Sequence, residues 1–292
     1  MRNLVRRIAP KTLIRMRKRV RSHPRVMMST EKRSLARISL ESCDASNLRS
    51  TLNFPDILSS ADSEQWGRVA RRIDARGLSH NSGGVNPGDR RAISALLEFL
   101  RPKSVLEIGT HIGSSTLVIA ATLAEQEAHI TTVDVLDVND PELRPWEKYG
   151  SEHSPEALVR GEAPVAFVRQ SSLEFMSNTS QKFDFIFLDG DHSAATVYRE
   201  MPLALQILAP GGVILIHDYF PGGQPLWPEG ELILGPFLAM ERFRREGAQI
   251  SVAPLGELPW PTKLGSKRTS LALVLGISRD WGIGSGSHDQ LS

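Results

Sequence analysis

The residues best suited to chemistry stand in one run, VLEIGTHIGSST from Val105 to Thr116. Here an apolar, strand-like stretch ends at Glu107, turns through Gly109 and opens a helix at Gly113. Glycine is expected at such a turn because a side chain would keep a ligand off the backbone, and an acid at a strand end suits an ammonium or hydroxyl partner. The run is not the dinucleotide fingerprint G-x-G-x-x-G, since His111 stands where its second glycine would be. A pyrophosphate is therefore a poorer guest than a compact cofactor with a positive aminoacyl end. A second acid, Asp134, closes the run TTVD about twenty-five residues after the turn, where a carboxylate can accept both hydroxyls of a ribose. An adenosine moiety suits that position.

Such residues need a scaffold, and the surrounding sequence supplies one. Short apolar, β-branched runs recur at Ser104 to Ile108, Ile130 to Val133, Val165 to Val168, Phe183 to Leu188 and Val213 to Ile216, with helical segments between them, Ser114 to Ala124 and Thr196 to Leu208 being the clearest. Nearly continuous apolar strands alternating with helices predict a parallel sheet covered on both faces. Ligands of open sheets of this kind sit at the carboxyl ends of the strands, near the switch in strand order. Glu107, Asp134, the Gln170-Ser171-Ser172 turn and Asp189 should converge there. Upstream, helical periodicity runs from Ser63 to Ala75, turn signals stand at Asn53 to Pro55, and the loop NSGGVNPGD leads into a helix over Arg90 to Leu100. Downstream, a helix over Leu232 to Arg245 is followed by strands at Ile250 to Val252 and Ser270 to Leu275, joined by a turn-rich connector that predicts an antiparallel finish. The expected fold is α/β: a Rossmann-like, doubly wound, mostly parallel seven-stranded sheet with an N-terminal helical extension. The expected divisions are a basic leader (1–26), the helical extension (27–80), a cofactor-binding domain (81–277) and a flexible tail (278–292).

Taken in order, LEIGTHIGSST, TTVDV, FDFIFLDGDH and LAPGGVILIHDY resemble the class I S-adenosylmethionine-dependent methyltransferases, in particular the small-molecule O-methyltransferases of macrolide-sugar and cephamycin pathways. The resemblance runs from about Gly83 to Ile277. It implies that Glu107 and Gly109 line the methionine end of S-adenosylmethionine, that Asp134 holds the ribose and that Gln170, Ser171 and Ser172 border the adenine. Thr110, Gly113, Ser114, Ser115 and Asp189 complete the expected cofactor contacts. Methyl transfer to oxygen requires an aligned acceptor and a route for its proton, through a base or through a metal that lowers the hydroxyl pKa. Asp189, Asp191 and His192, with His217 and Asp218, gather polar groups at the strand ends, and oxygen-rich ligands favour Mg²⁺ or another hard divalent cation. In the resembling metal-dependent enzymes the first Asp of D-G-x-H binds the metal, its His is the base, and an acidic pair after the fifth strand completes the ligand set. That pattern implies His192 as base and Asp189, His217 and Asp218 as metal ligands, with His217 standing where the family has an acid. Methylation of nitrogen or carbon on the same scaffold, and a non-catalytic cofactor-binding or scaffold protein, are the competing readings.

Acceptor recognition is expected from two long connections. Val135 to Ala163 carries Trp146, Tyr149 and His153, and Tyr219 to Gly230 carries Trp227; Trp260 is a further candidate wall. The acceptor is expected to be a small molecule or glycan, and nucleic acid is not expected. The net charge of +2 conceals ten cations, from Arg2 to Arg25, that precede the first acid, Glu31. The remainder of the chain is acidic, so the basic balance belongs to the leader. That leader has no apolar core of signal-peptide length, which leaves a solvated or oligomer-packing helix, peripheral contact with an anionic membrane, and a mitochondrial presequence as its readings. A single cysteine, Cys43, calls for neither an internal disulfide nor a cysteine-rich zinc site, so a reducing cytoplasm is the expected compartment.

Overall fold

The computed structural model describes residues 43–61, 63–78, 84–227 and 232–277. The leader and the tail lie outside the described residues, as does most of the loop ahead of Asn86. Two helices, α1 (Phe54–Ser60) and α2 (Ser63–Asp74), precede α3 (Pro87–Leu100). Strands and helices then alternate: β1 (Ser104–Ile108), α4 (Ser114–Thr122), β2 (His129–Asp134), α5 (Pro155–Leu158), β3 (Val165–Arg169), α6 (Ser172–Asn178), β4 (Phe183–Leu188), α7 (Ala194–Ile207) and β5 (Leu208–Ile216). Helix α8 (Gly235–Glu246) and strands β6 (Ile250–Pro254) and β7 (Ala272–Gly276) close the fold.

The seven strands run in the order β3-β2-β1-β4-β5-β7-β6. The first five pair in parallel, and β7 lies antiparallel between β5 and β6, which is the expected mixed finish. The order reverses between β1 and β4, so a crevice opens at their carboxyl ends. Strand parity divides the core in two. Val105, Phe185, Phe187, Val213 and Leu215 face α1 to α4, whereas Leu106, Ile108, Ile186, Leu188, Ile214 and Ile216 face α7 and α8. Helix α4, buried on every side, is apolar or small all round because it is wedged between the sheet and the helices outside it.

Local chemistry sets several helix starts. Asn86 caps α3 by accepting from the amides of Gly88 and Asp89, with Pro87 in the first turn. Ser171 caps α6 and Ser193 caps α7 in the same manner. The turn expected at Asn53 to Pro55 is the N-terminus of α1, where proline is tolerated because its missing N–H has no helical partner to lose. The long connection after β2 is not structureless: it holds a 3₁₀ turn at Pro145–Tyr149 and the short α5. It is clamped from α2 and the turn that follows it: Arg72 and Arg76 both reach Glu162, at 2.9 and 3.5 Å, and Arg76 also donates to the carbonyls of Ala157 and Arg160. Among the described residues no helix is long and apolar enough to cross a membrane.

Candidate active site

The parallel ladder continues one residue beyond its strands and thereby sets the floor of the site. The amide of Asp189 donates to Ile108 and that of His217 to Leu188, so the tips of β1, β4 and β5 stand in one row. Above this row lies a cavity of about 870 Å³ that spans the reversal in strand order. Of the residues expected to hold the cofactor, Gly109, Thr110, Ser114, Ser115, Asp134, Gln170, Ser171, Ser172 and Asp189 line it. Glu107 and Gly113 are not among the lining residues.

Glu107 sits beneath the turn. Its Oε2 accepts from Thr116 at 2.5 Å and Thr132 at 2.6 Å, which ties β1 to α4 and β2, while its buried Oε1 has no donor among the described residues. Burial pushes this carboxyl up to about 7, against the pull of the neighbouring Thr116 and Thr132 hydroxyls. The glycines of the turn are required for a reason other than the expected ligand clearance. Gly109 has φ +97°, and a Cβ there would stand 2.2 Å from the carbonyl oxygen of Asp189; a Cβ on Gly113, at φ +77°, would strike Pro155. Protein packing alone excludes side chains at both. His111 takes φ +50° where a dinucleotide motif has glycine, and its amide donates to Asp134 Oδ2 at 2.9 Å. Leu136 donates to the other oxygen at 2.9 Å. Both oxygens keep lone pairs for further donors.

At the other end of the crevice, Asp189, His192 and Asp218 each bring one ligand atom within a sphere where all lie within 4.8 Å of one another. His192 Nε2 is 3.4 Å from Asp218 Oδ2 and 4.0 Å from Asp189 Oδ1. The ligand set expected from the sequence had His217 in this place, and the geometry groups His192 instead. Parity on β5 explains the exchange, since Val213, Leu215 and His217 point to the α3 side of the sheet. There His217 Nδ1 comes within 2.8 Å of Asp189, off the line of a good hydrogen bond, and Nε2 lies 3.4 Å from Asp89. Burial alone would favour the neutral ring. The charges of Asp189 and Asp218 and contacts with Asp189 and Asp89 outweigh it and hold the His217 pKa well above the ordinary imidazole value. Asp218 adopts φ +53°, a conformation that Asp tolerates better than most side chains, and receives a hydrogen bond from Ser270 at 3.3 Å. Asp191 is spent on the start of α7, accepting from the Ser193 amide and the Thr196 hydroxyl.

Asp89 escaped sequence reasoning. It is fully buried in the first turn of α3, accepts from Asn86 at 2.6 Å and leaves Oδ1 without a partner among the described residues. The NPGD context marks only a helix start, and nothing local announces a partner 128 positions away. The aromatics divide. Trp227 lines the cavity with Phe220, their rings 5.9 Å apart. Tyr149 stands edge-on to His111 at 4.2 Å, Trp146 is buried away from the cavity, and His153 is exposed. Trp260 is structural: its Nε1 donates to Gly88 at 2.9 Å and Arg91 lies over its ring.

Comparison with known proteins brings these features together. A family model described as a methyltransferase domain matches residues 106–219. Among curated proteins, the chain is 25% identical over 138 residues to "Probable caffeoyl-CoA O-methyltransferase 1" of Dictyostelium discoideum, covering 47% of this chain and 56% of that protein. It is 26% identical over 147 residues to the rhamnosyl O-methyltransferase of Mycobacterium leprae, covering 50% and 61%. The chain thus spans less than two thirds of the length of these relatives. Among solved structures, the O-methyltransferase of Bacillus cereus in complex with SAH is similar at 19% identity and a TM-score of 0.47, covering 82% of this chain and all of that one.

Proposed function

We propose that this chain, which matches a methyltransferase-domain model over residues 106–219, transfers a methyl group from S-adenosylmethionine to a hydroxyl of a small-molecule or glycan acceptor. The observation that carries the reading is a single cavity with Asp134 at one end and His192, Asp189 and Asp218 at the other. One enclosure thereby holds a ribose-type acceptor of hydrogen bonds and a base.

S-Adenosylmethionine, when bound, supplies an electrophilic methyl group on a sulfonium. The remaining work falls to the chain's own residues. Asp134 accepts from ribose hydroxyls, and Gln170, Ser171 and Ser172 border the adenine. The buried hydroxyl of Ser114, which lines the cavity, has no partner among the described residues, and a cofactor's aminoacyl end would satisfy such a group. Asp134, Asp189, Asp191 and Asp218 make the lining negative, which favours a cationic cofactor. His192 takes the acceptor proton, with Asp218 at 3.4 Å orienting the ring and stabilising the imidazolium that forms.

The donor set of Asp189, Asp218 and His192 also fits a divalent cation, and a nitrogen beside two carboxylates suits Mn²⁺, Fe²⁺ or Zn²⁺ as well as Mg²⁺. Such an ion would lower the acceptor pKa, and His192 would then act as a ligand. Calorimetric titration of chelator-treated protein with S-adenosylhomocysteine and with NAD, each with and without Mn²⁺, tests the cofactor assignment. Micromolar binding of S-adenosylhomocysteine alone is expected, and tighter binding with Mn²⁺ supports the metal set. Binding of NAD in its place would overturn the transferase reading.

A further inference from the structure

Four aspartates, Asp134, Asp189, Asp191 and Asp218, line the cavity together with three histidines, His111, His192 and His217. Among the described residues that form it, Lys263 is the single lysine or arginine, and it makes no ion pair with any of them. This exposed ammonium opposes the cofactor's sulfonium by like-charge repulsion and can serve only an anionic partner, the cofactor's own carboxylate or a group on the acceptor.

Its placement is built. The chain between β6 and β7 folds back on itself through hydrogen bonds from Leu255 to Leu271, Leu258 to Lys267 and Thr262 to Ser266, at 2.9, 2.8 and 2.7 Å. The Thr262 hydroxyl donates to Arg268 at 2.6 Å, and Leu264 and Gly265, both at positive φ, turn the tip. Trp260 fastens the arm to α3 through Gly88. The Lys263 ammonium is thereby set 5.2 Å from the centre of the Trp227 ring, on the wall that Trp227 shares with Phe220 and Ile233. Trp227 itself is 6% exposed, and its indole N–H is a buried donor with no acceptor among the described residues. An ammonium set against an aromatic ring is suited to a guest that carries negatively charged oxygen.

Resting on the transferase reading above, we infer that the acceptor bears an anionic group, a carboxylate or a phosphate, which Lys263 takes up beside Trp227. The test uses the full chain saturated with S-adenosylhomocysteine and matched probes: 3,4-dihydroxybenzoate against catechol, and glucose 6-phosphate against glucose. Calorimetry of the wild type is compared with Lys263→Met, which keeps the aliphatic stem over Trp227, and with Lys263→Arg. At least one anionic probe is expected to bind about tenfold more tightly than its neutral partner, an advantage lost in the Met variant and largely kept in the Arg variant, with S-adenosylhomocysteine affinity unchanged in both. The benzoate and phosphate arms identify which anion is read. Equal binding of neutral and anionic partners, absence of binding by both anions, or an advantage that survives Lys263→Met overturns the assignment. Failure of S-adenosylhomocysteine to bind the wild type overturns the transferase reading instead, and is seen before any acceptor probe is added.

Discussion

At the scale of single residues, the roles proposed for His192 and Asp134 are separable. His192→Ala is expected to lower kcat by about 10²- to 10⁴-fold while leaving S-adenosylhomocysteine affinity within about twofold of wild type. Steady-state kinetics beside calorimetry checks this, and an unchanged kcat would assign the proton to another group. Asp134→Ala is expected to weaken S-adenosylhomocysteine binding at least tenfold, because it removes the proposed ribose contact and also frees the amides of His111 and Leu136 that the carboxylate fixes. Asp134→Asn, which keeps one acceptor oxygen, should lose less. Gly109, Asp134 and Asp189 were legible in the sequence because each ends a strand or makes the turn that follows one, where fold geometry dictates residue type. His217 is expected as a ligand because it stands where the resembling family has an acid; it lines the same cavity as Asp218, with Nδ1 3.5 Å from Asp218 and 2.8 Å from Asp189, while His192 completes the tightest group. Asp89 was not legible at all, since its partner is brought to it only by the packing of α3 on the sheet.

Elements show the same division. Strands β1 to β5 were found within a few residues because uninterrupted apolar runs have no other stable use in a sheet covered on both faces. Helix α6 was missed because its seven residues, SLEFMSN, are too few to establish a period, and a capping serine is its only signal. Helix α7 offers a test of element stability. Its Glu200 is 2% exposed, and burial pushes the carboxyl up to about 7, with the Asp191 charge adding to the effect and a hydrogen bond from Ser172 opposing it. The unfolded chain releases this proton near 4.5 and the folded chain near 7, so between those values the folded state binds more protons and stability falls as pH rises. Thermal melts should therefore show wild type losing more stability from pH 5 to pH 8 than Glu200→Gln does, by on the order of 2 kcal/mol. Parallel pH profiles for the two proteins would show that Glu200 does not titrate in this range.

For the whole molecule, what the sequence left open was how the helices ahead of the domain belong to it. Phe54, Ile57, Leu58, Val69 and Ile73 share one continuous core with α3, α4 and the sheet. Removing residues 1–78 is expected to strip that face, so that the remaining chain aggregates or melts without cooperativity; a sharp, wild-type-like melt of the truncated chain would show that α1 and α2 are dispensable. The arm between β6 and β7 is likewise not a free-standing accessory. A Cβ on Gly88 would stand 2.5 Å from the Pro261 carbonyl oxygen and 2.7 Å from Thr262, and Arg91, one turn on, covers the Trp260 ring. The first turn of α3 that seats the arm is also the turn that supplies Asp89. A relative with a different arm could not lend it to this chain by simple loop exchange: Gly88 and Arg91 would have to travel with it, and the setting of His217 would shift in the same step. The arm and the interior of the site are thus tied together, as one graft spanning about 185 residues of sequence.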